Sequence, residues 1–214
     1  MENDAIAIFI ALNSFLYIII HIIFDLRLIL NPQRESRQQK AVYSPWNEKN
    51  PQMKYFLLLA TFYFWFFFIF WPFFHFFDLD APFLAFSAKI PIIGDSLQII
   101  GGIIVAFATF IAIYGRIARG QQAISWGVPV SLTTHGGFGL VRHPLYASYC
   151  CYFTGMLLML QNILLLPLLL GVYGYYDAAK YEEEILLAEF GEAYRQYQQR
   201  VGMMVPFVGK RKKS

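Results

Sequence analysis

An all-α membrane protein of about five transmembrane helices is what this sequence predicts, and three observations predict it. The chain of 214 residues is 57% hydrophobic and only 14% charged, where a soluble domain carries about 25% charged residues. Its apolar residues gather in long runs instead of recurring at amphipathic intervals, the pattern expected when lipid is the solvent. The basic residues fall in short clusters between those runs, as in the cytoplasmic loops of multi-pass proteins. The net charge is only +3, and no basic stripe on a polar domain is present, which excludes nucleic acid as a partner.

The first run, Ala5 to Leu30, stops at Asn31-Pro32, a helix-ending pair. It follows an acidic Met1-Glu2-Asn3-Asp4 and is too long for a cleaved signal core, so it is expected to remain as a helix. A polar stretch with Arg34, Arg37, Lys40, Lys49 and Lys54 leads to the second run, Tyr55 to Phe77, rich in Phe, Tyr and Trp. Residues 78 to 95 hold Asp78, Asp80 and Asp95 beside a lone Lys89. The third run, Ser96 to Tyr114, places Gly101, Ala108, Ala112 and Gly115 on one face, where a second helix can approach closely. After a glycine-rich polar segment come two shorter runs, Leu145 to Leu160 and Ile163 to Tyr176. Gln161-Asn162 separates them, which predicts a helical hairpin with arms short for a full span. Leu187, Phe190, Tyr194, Tyr197 and Val201 then form an apolar stripe on an amphipathic helix expected to lie along the membrane and to break at Gly191. Cys150 and Cys151 are neighbours on a helix and point apart, so no disulfide is expected between them.

Basic loops on one side and acidic ones on the other give one topology: N-terminus outside, C-terminus and active site cytoplasmic. The segment with Arg116, Arg119 and Arg142 and the tail Lys210-Arg211-Lys212-Lys213 then share the cytoplasmic side. The expected organisation is one integrated domain, with residues 1–115 as three N-terminal helices and 116–214 as the functional region.

Two segments carry chemistry. The first is Thr134-His135-Gly136-Gly137-Phe138, followed by Val141-Arg142-His143-Pro144-Leu145-Tyr146. Pro suits the first position of a helix, so free N–H groups flanked by Arg142 and His143 make an anion site. The glycines allow close backbone approach to a ligand. The alternative is an interfacial anchor, with Arg142 on lipid phosphate and Tyr146 in the aromatic belt. The second is Lys180-Tyr181-Glu182-Glu183-Glu184, which the hairpin returns to the same boundary. Carboxylates there are costly unless paired or solvated; the alternative is a solvated helix start. His21 and Asp25, a turn apart near the end of the first helix, and His75 near the far end of the second are further intramembrane ionisable groups.

Taken together, Gly136-Gly137, Arg142-His143-Pro144-Leu145-Tyr146, a hairpin, Glu182-Glu183, Phe190-Gly191-Glu192-Ala193-Tyr194, Tyr197 and Pro206 resemble the isoprenylcysteine carboxyl methyltransferase family and the related phospholipid N-methyltransferases. The resemblance covers about residues 116 to 207. It implies an S-adenosylmethionine pocket at the cytoplasmic boundary, with His135, Gly136, Gly137, His143, Pro144, Tyr146 and Glu183 toward the cofactor and Arg142, Glu182 and Glu183 as catalytic residues. The implied acceptor is lipid-like or prenylated and reaches the site from the bilayer; the implied reaction is O-methylation of a carboxylate, with no metal. Methyl transfer is an in-line displacement for which alignment in a dry pocket is most of the requirement. A carboxylate acceptor needs no base, whereas an amine acceptor does, a role open to Glu182 or Glu183. Relatives often carry Arg one turn before the glutamates, where this chain has Ala178. Three other readings stand beside this one: an NADPH-dependent membrane reductase of the steroid reductase type, a phospholipid N-methyltransferase, and an inactive membrane scaffold.

Overall fold

The computed structural model describes residues 3–30, 50–120 and 131–206. The basic loop at 34–49 and the basic tail, on which the topology leaned, lie outside the described residues. The architecture is all-α: α1 (Asn3–Ile29), α2 (Pro51–Phe76), a one-turn α3 (Ala81–Leu84), α4 (Gly94–Arg119), a one-turn α5 (Gly137–Leu140), α6 (Pro144–Leu160) and α7 (Leu168–Arg200). A 3-10 turn at Ile163–Leu165 joins α6 to α7.

By length and composition, three helices among the described residues are able to cross a membrane: Asn3–Arg27, Pro51–Phe76 and Gly94–Arg119. The five expected passes therefore resolve into three long helices and a short hairpin. At 17 residues, α6 spans only about 26 Å. The Phe-rich α2 faces both ways: Phe64 and Phe68, four apart, are fully buried, while Phe62 and Phe73 are exposed.

Successive long helices of the chain alternate in direction, so α1 and α4 lie parallel, with Asn13 on Thr109 and Asp25 on Arg116. Against α7, α2 runs antiparallel: Gly174 sits on Leu57 and Gly171 on Ala60, and the Asn50 amide donates to Asp177 at 3.0 Å. The small-residue face on α4 receives α6. A Cβ at Gly101 would stand 2.5 Å from the Met159 backbone nitrogen, one at Gly155 2.9 Å from the Gly101 carbonyl, and one at Gly115 2.8 Å from Pro144. Contact this close compensates for the missing hydrophobic drive between helices in lipid.

At the hairpin tip, Gln161 takes left-handed backbone angles (φ 45°). Its side chain donates to the Gly94 carbonyl at 2.6 Å and accepts from Ile90 N–H at 2.8 Å. Asn162 caps the 3-10 turn through Leu164 N–H and donates to the Phe83 carbonyl. The tip is thus satisfied beneath the segment that links α2 to α4, as buried amides must be. Cys150 and Cys151 remain free thiols.

The separate amphipathic helix is corrected. α7 runs from Leu168 through the glutamates to Phe190, kinks at Gly191 (φ 53°, ψ −126°) and resumes as a second helical piece to Arg200. The fifth apolar run and the polar stripe are parts of that helix, so Glu182 and Glu183 lie mid-helix and not at a helix start. Leu, Ala and Glu around them are strong helix formers, so the helix continues where the composition turns polar.

Candidate active site

Arg142 and His143 are held by backbone before any side chain acts. Val141 pairs with Gly202 in a parallel bridge; Arg142 N–H donates to the Gly202 carbonyl at 2.9 Å and His143 N–H to the Met203 carbonyl at 3.0 Å. Pro144 then opens α6. The Arg142 guanidinium grips Glu183 with both arms, Nε to Oε1 at 2.7 Å and Nη2 to Oε2 at 2.8 Å. Its remaining arm, Nη1, donates to the carbonyls of Gln198 and Val201. Bidentate pairs of this kind are the strongest, most directional ion pairs in proteins.

His143 lies between two carboxylates, with Nε2 2.9 Å from Glu183 Oε1 and Nδ1 3.4 Å from Glu182 Oε2. Its ring is parallel to that of Tyr146, centroids 5.5 Å apart at 3°. Burial alone would lower the pKa of His143, but its hydrogen bonds to Glu182 and Glu183, and their charges, raise it to about 9. The ring is therefore an imidazolium at neutral pH. Burial would raise Glu183, yet bonds from His143, Arg142 and Tyr194 hold it well below the usual carboxylate range. Glu182 is lowered too: burial opposes, while His143, the charge of Arg119 and the Tyr146 hydroxyl prevail.

Two donors to Glu183 come from beyond Gly191: Tyr194 Oη at 2.8 Å and Gln198 Nε2 at 2.6 Å. Tyr194 is eleven residues from Glu183, about 16 Å along a straight helix, too far to touch. The break at Gly191 folds the last turns of α7 back onto the glutamates. A Cβ there would meet nothing within 4 Å, so glycine serves the positive φ and not the space. Tyr197 Oη donates to the Phe138 carbonyl at 2.5 Å, tying the same turns to α5.

Beside this cluster a cleft opens between α1, α4 and the start of α6. Arg116, Arg119, Phe138, Pro144 and Leu145 line it, with His21 on the α1 side. Arg116 is buried and ion-paired to Asp25 of α1.

The structure brings Arg142, His143, Pro144, Tyr146, Glu182 and Glu183 together, and separates out the rest. His135 is exposed in the turn before α5, and Glu184 is exposed on α7. Gly136 and Gly137 approach α4 closely: added Cβ atoms would stand 2.5 Å from Ala118 Cβ and 2.6 Å from Gly115 N. The hydrogen bonding of Glu183 weighs against a basic role. Its oxygens accept five hydrogen bonds, which leaves it a poor proton acceptor. Ala178 is buried in the core, and Lys180 turns onto the Tyr176 ring, 4.6 Å from its centroid. The charge of Arg119, on another helix, acts on Glu182. Sequence reading missed Arg119 and Gln198. Arg119 ends an apolar helix one turn after Arg116, and Gln198 follows Tyr194 by four; both spacings are visible, but the fold that uses them is not.

Residues 97–193 match the model of the phospholipid methyltransferase family. That match takes in less than half of the chain. The matched residues run from α4 to the far part of α7 and so hold the whole Arg142–Glu183 cluster except its last supports. Among curated proteins, the chain is 37% identical over 79 residues to a protein-S-isoprenylcysteine O-methyltransferase of Tribolium castaneum, covering 36% of this chain and 28% of that protein. It is 30% identical over 125 residues to a methanethiol S-methyltransferase of Crocosphaera subtropica, covering 56% and 49%. It is 31% identical over 118 residues to a probable protein-S-isoprenylcysteine O-methyltransferase of Oryza sativa, covering 54% and 61%. The matches thus span from about a quarter to under two thirds of those relatives.

Proposed function

We propose that this protein transfers a methyl group from S-adenosylmethionine to a lipophilic acceptor that reaches the cleft from the bilayer. One observation carries the reading: the Arg142–His143 helix start and the Glu182–Glu183 pair, 40 residues apart in sequence, close on each other beside an arginine-lined cleft. The relatives named above, which methylate through family-related chains, support it.

The residues present fit the cofactor. Its methionine end carries a carboxylate, which suits Arg119 and the N-terminus of α6. Its ammonium suits Glu182, kept ionised next to Arg119. Its adenine suits apolar walls such as Phe138, Pro144 and Leu145. That use of the polar end leaves the α1 side to the acceptor. When bound, S-adenosylmethionine supplies an electrophilic methyl on a sulfonium. The chain supplies alignment and a dry surround. Arg142, His143 and Glu183 have spent their polar atoms on one another, so they act as positioning residues: they fix where α6 begins and how Glu182 stands. The acceptor implied by the resemblance is prenylated or lipid-like.

Binding to detergent-purified protein tests the reading. S-adenosylhomocysteine is expected to bind and NADPH not to, and Glu182→Ala to weaken that binding at least about tenfold through loss of a charge-assisted contact. Binding of NADPH alone would replace the proposal with the reductase reading, and binding of neither with the scaffold.

A further inference from the structure

Resting on that methyl-transfer reading, we infer that His21 of α1 is a general base for the reaction and that the acceptor is a thiol. His21 lies on α1, outside the family match. It lines the cleft together with Arg116, Arg119, Pro144 and Leu145. Its Nδ1 is 2.9 Å from the Tyr17 carbonyl. A carbonyl only accepts, so the proton is on Nδ1. The ring is stacked on Tyr17 with centroids 4.0 Å apart at 14°, which fixes its plane. Nε2 then presents a lone pair, and it is buried with no hydrogen-bond partner among the described residues. A buried acceptor left without a donor costs about 1–3 kcal/mol; a donor on a bound molecule relieves it.

The surroundings select among acceptors. The charged and titratable groups facing His21 are Tyr17 and Asp25 on its own helix and Arg116 and Arg119 on α4; α6 contributes the positive end of its dipole. Asp25 is engaged by Arg116. A carboxylate would face the Nε2 lone pair with a lone pair of its own and has no use for a base. An amine arrives as an ammonium and meets two guanidinium groups. A thiol offers S–H to Nε2, and the thiolate is what nearby arginines and a helix N-terminus stabilise.

The step balances. The S–H proton passes to His21 Nε2. The sulfur electron pair forms the bond to the methyl carbon as the methyl–sulfonium bond breaks, and the departing pair remains on a neutral thioether. The imidazolium returns its proton to solvent.

The experiment compares octanethiol, octanoate and octylamine as acceptors for the purified full chain, with S-adenosylhomocysteine binding measured in parallel, for wild type and His21→Asn. Octanethiol is expected to be the preferred acceptor. H21N keeps cofactor-product affinity within about twofold and loses about 100-fold in thiol turnover near neutral pH. That loss shrinks as pH rises toward the thiol's own pKa, because the thiolate then needs no base. Without cofactor, octanethiol shifts the 15N resonance of His21 Nε2. Preference for octanoate or octylamine, or an H21N pH profile matching wild type, overturns the inference while retained S-adenosylhomocysteine binding leaves methyl transfer standing. Absence of that binding in wild type overturns both. Should H21N fail to fold, the wild-type acceptor ranking and the 15N shift decide alone.

Discussion

Two histidines in this bundle each stand between two carboxylates, at opposite ends of the helices. At one end His143 is flanked by Glu182 and Glu183; at the other His75 has Asp80 2.8 Å from Nδ1 and Asp4 2.9 Å from Nε2. The pairings look alike, but their settings differ. Side-chain exposure is 3% for His143 and 12% for Glu183, against 77% for Asp4. Glu183 is further gripped by Arg142, Tyr194 and Gln198, whereas Asp4 faces outward from the start of α1. Enclosure and extra donors turn one ion pair into a junction for four stretches of chain, at 141–143, 182–183, 194–198 and 201–203. The other pins the start of α1 to the corner after α2.

The largest expected effect breaks the enclosed member. Glu183→Ala leaves the Arg142 and His143 charges buried without their acceptor, a change that costs about 3–5 kcal/mol. Thermal unfolding in detergent should show it as a large drop in Tm, and a drop worth less than about 1 kcal/mol would mean that the junction holds nothing together.

The next effect is one of pH. The folded pKa of His143 is raised from 6.5 to about 9, so its stabilisation is fully present below about pH 6.5 and is lost as pH rises through about 9. Glu183 is lowered from 4.5, so its stabilisation is present above about pH 4.5 and is lost as pH falls further. Stability should therefore plateau between those values and decline on the alkaline side by about 3 kcal/mol. His143→Asn should flatten the alkaline limb; an unchanged limb would show that another group governs it. The smallest effect belongs to the open pair. Asp4→Asn should cost under about 1 kcal/mol, since an exposed partner is screened by water and salt, and a loss as large as that of Glu183→Ala would erase the contrast.

Much of this was legible because lipid punishes exceptions. Apolar runs had to be helices, and Gly101, Ala108, Ala112 and Gly115 had to face another helix. The meeting of Arg142 with Glu183 followed from a hairpin that returns to its own starting boundary. What stayed hidden depended on three-dimensional choices. Gly136 and Gly137 announce a close approach, but only the fold says that it is to α4. The polar turn in composition after Tyr176 suggested a new element, whereas helix propensity carried α7 through it. Arg119 reaches Glu182 with its charge from a different helix, which no spacing along α7 reveals.

The backbone that secures Arg142 is synthesised late. Val201, whose carbonyl receives this guanidinium, lies 59 residues downstream, about 3–12 s of translation. Through that interval the start of α6 carries a cation whose carboxylate partner and carbonyl acceptors are still to come, one that is expensive to draw into hydrocarbon. The hairpin's depth in the bilayer is therefore set by an anchor of headgroups and water, and the chain later exchanges that anchor for Glu183 and the carbonyls beyond Gly191.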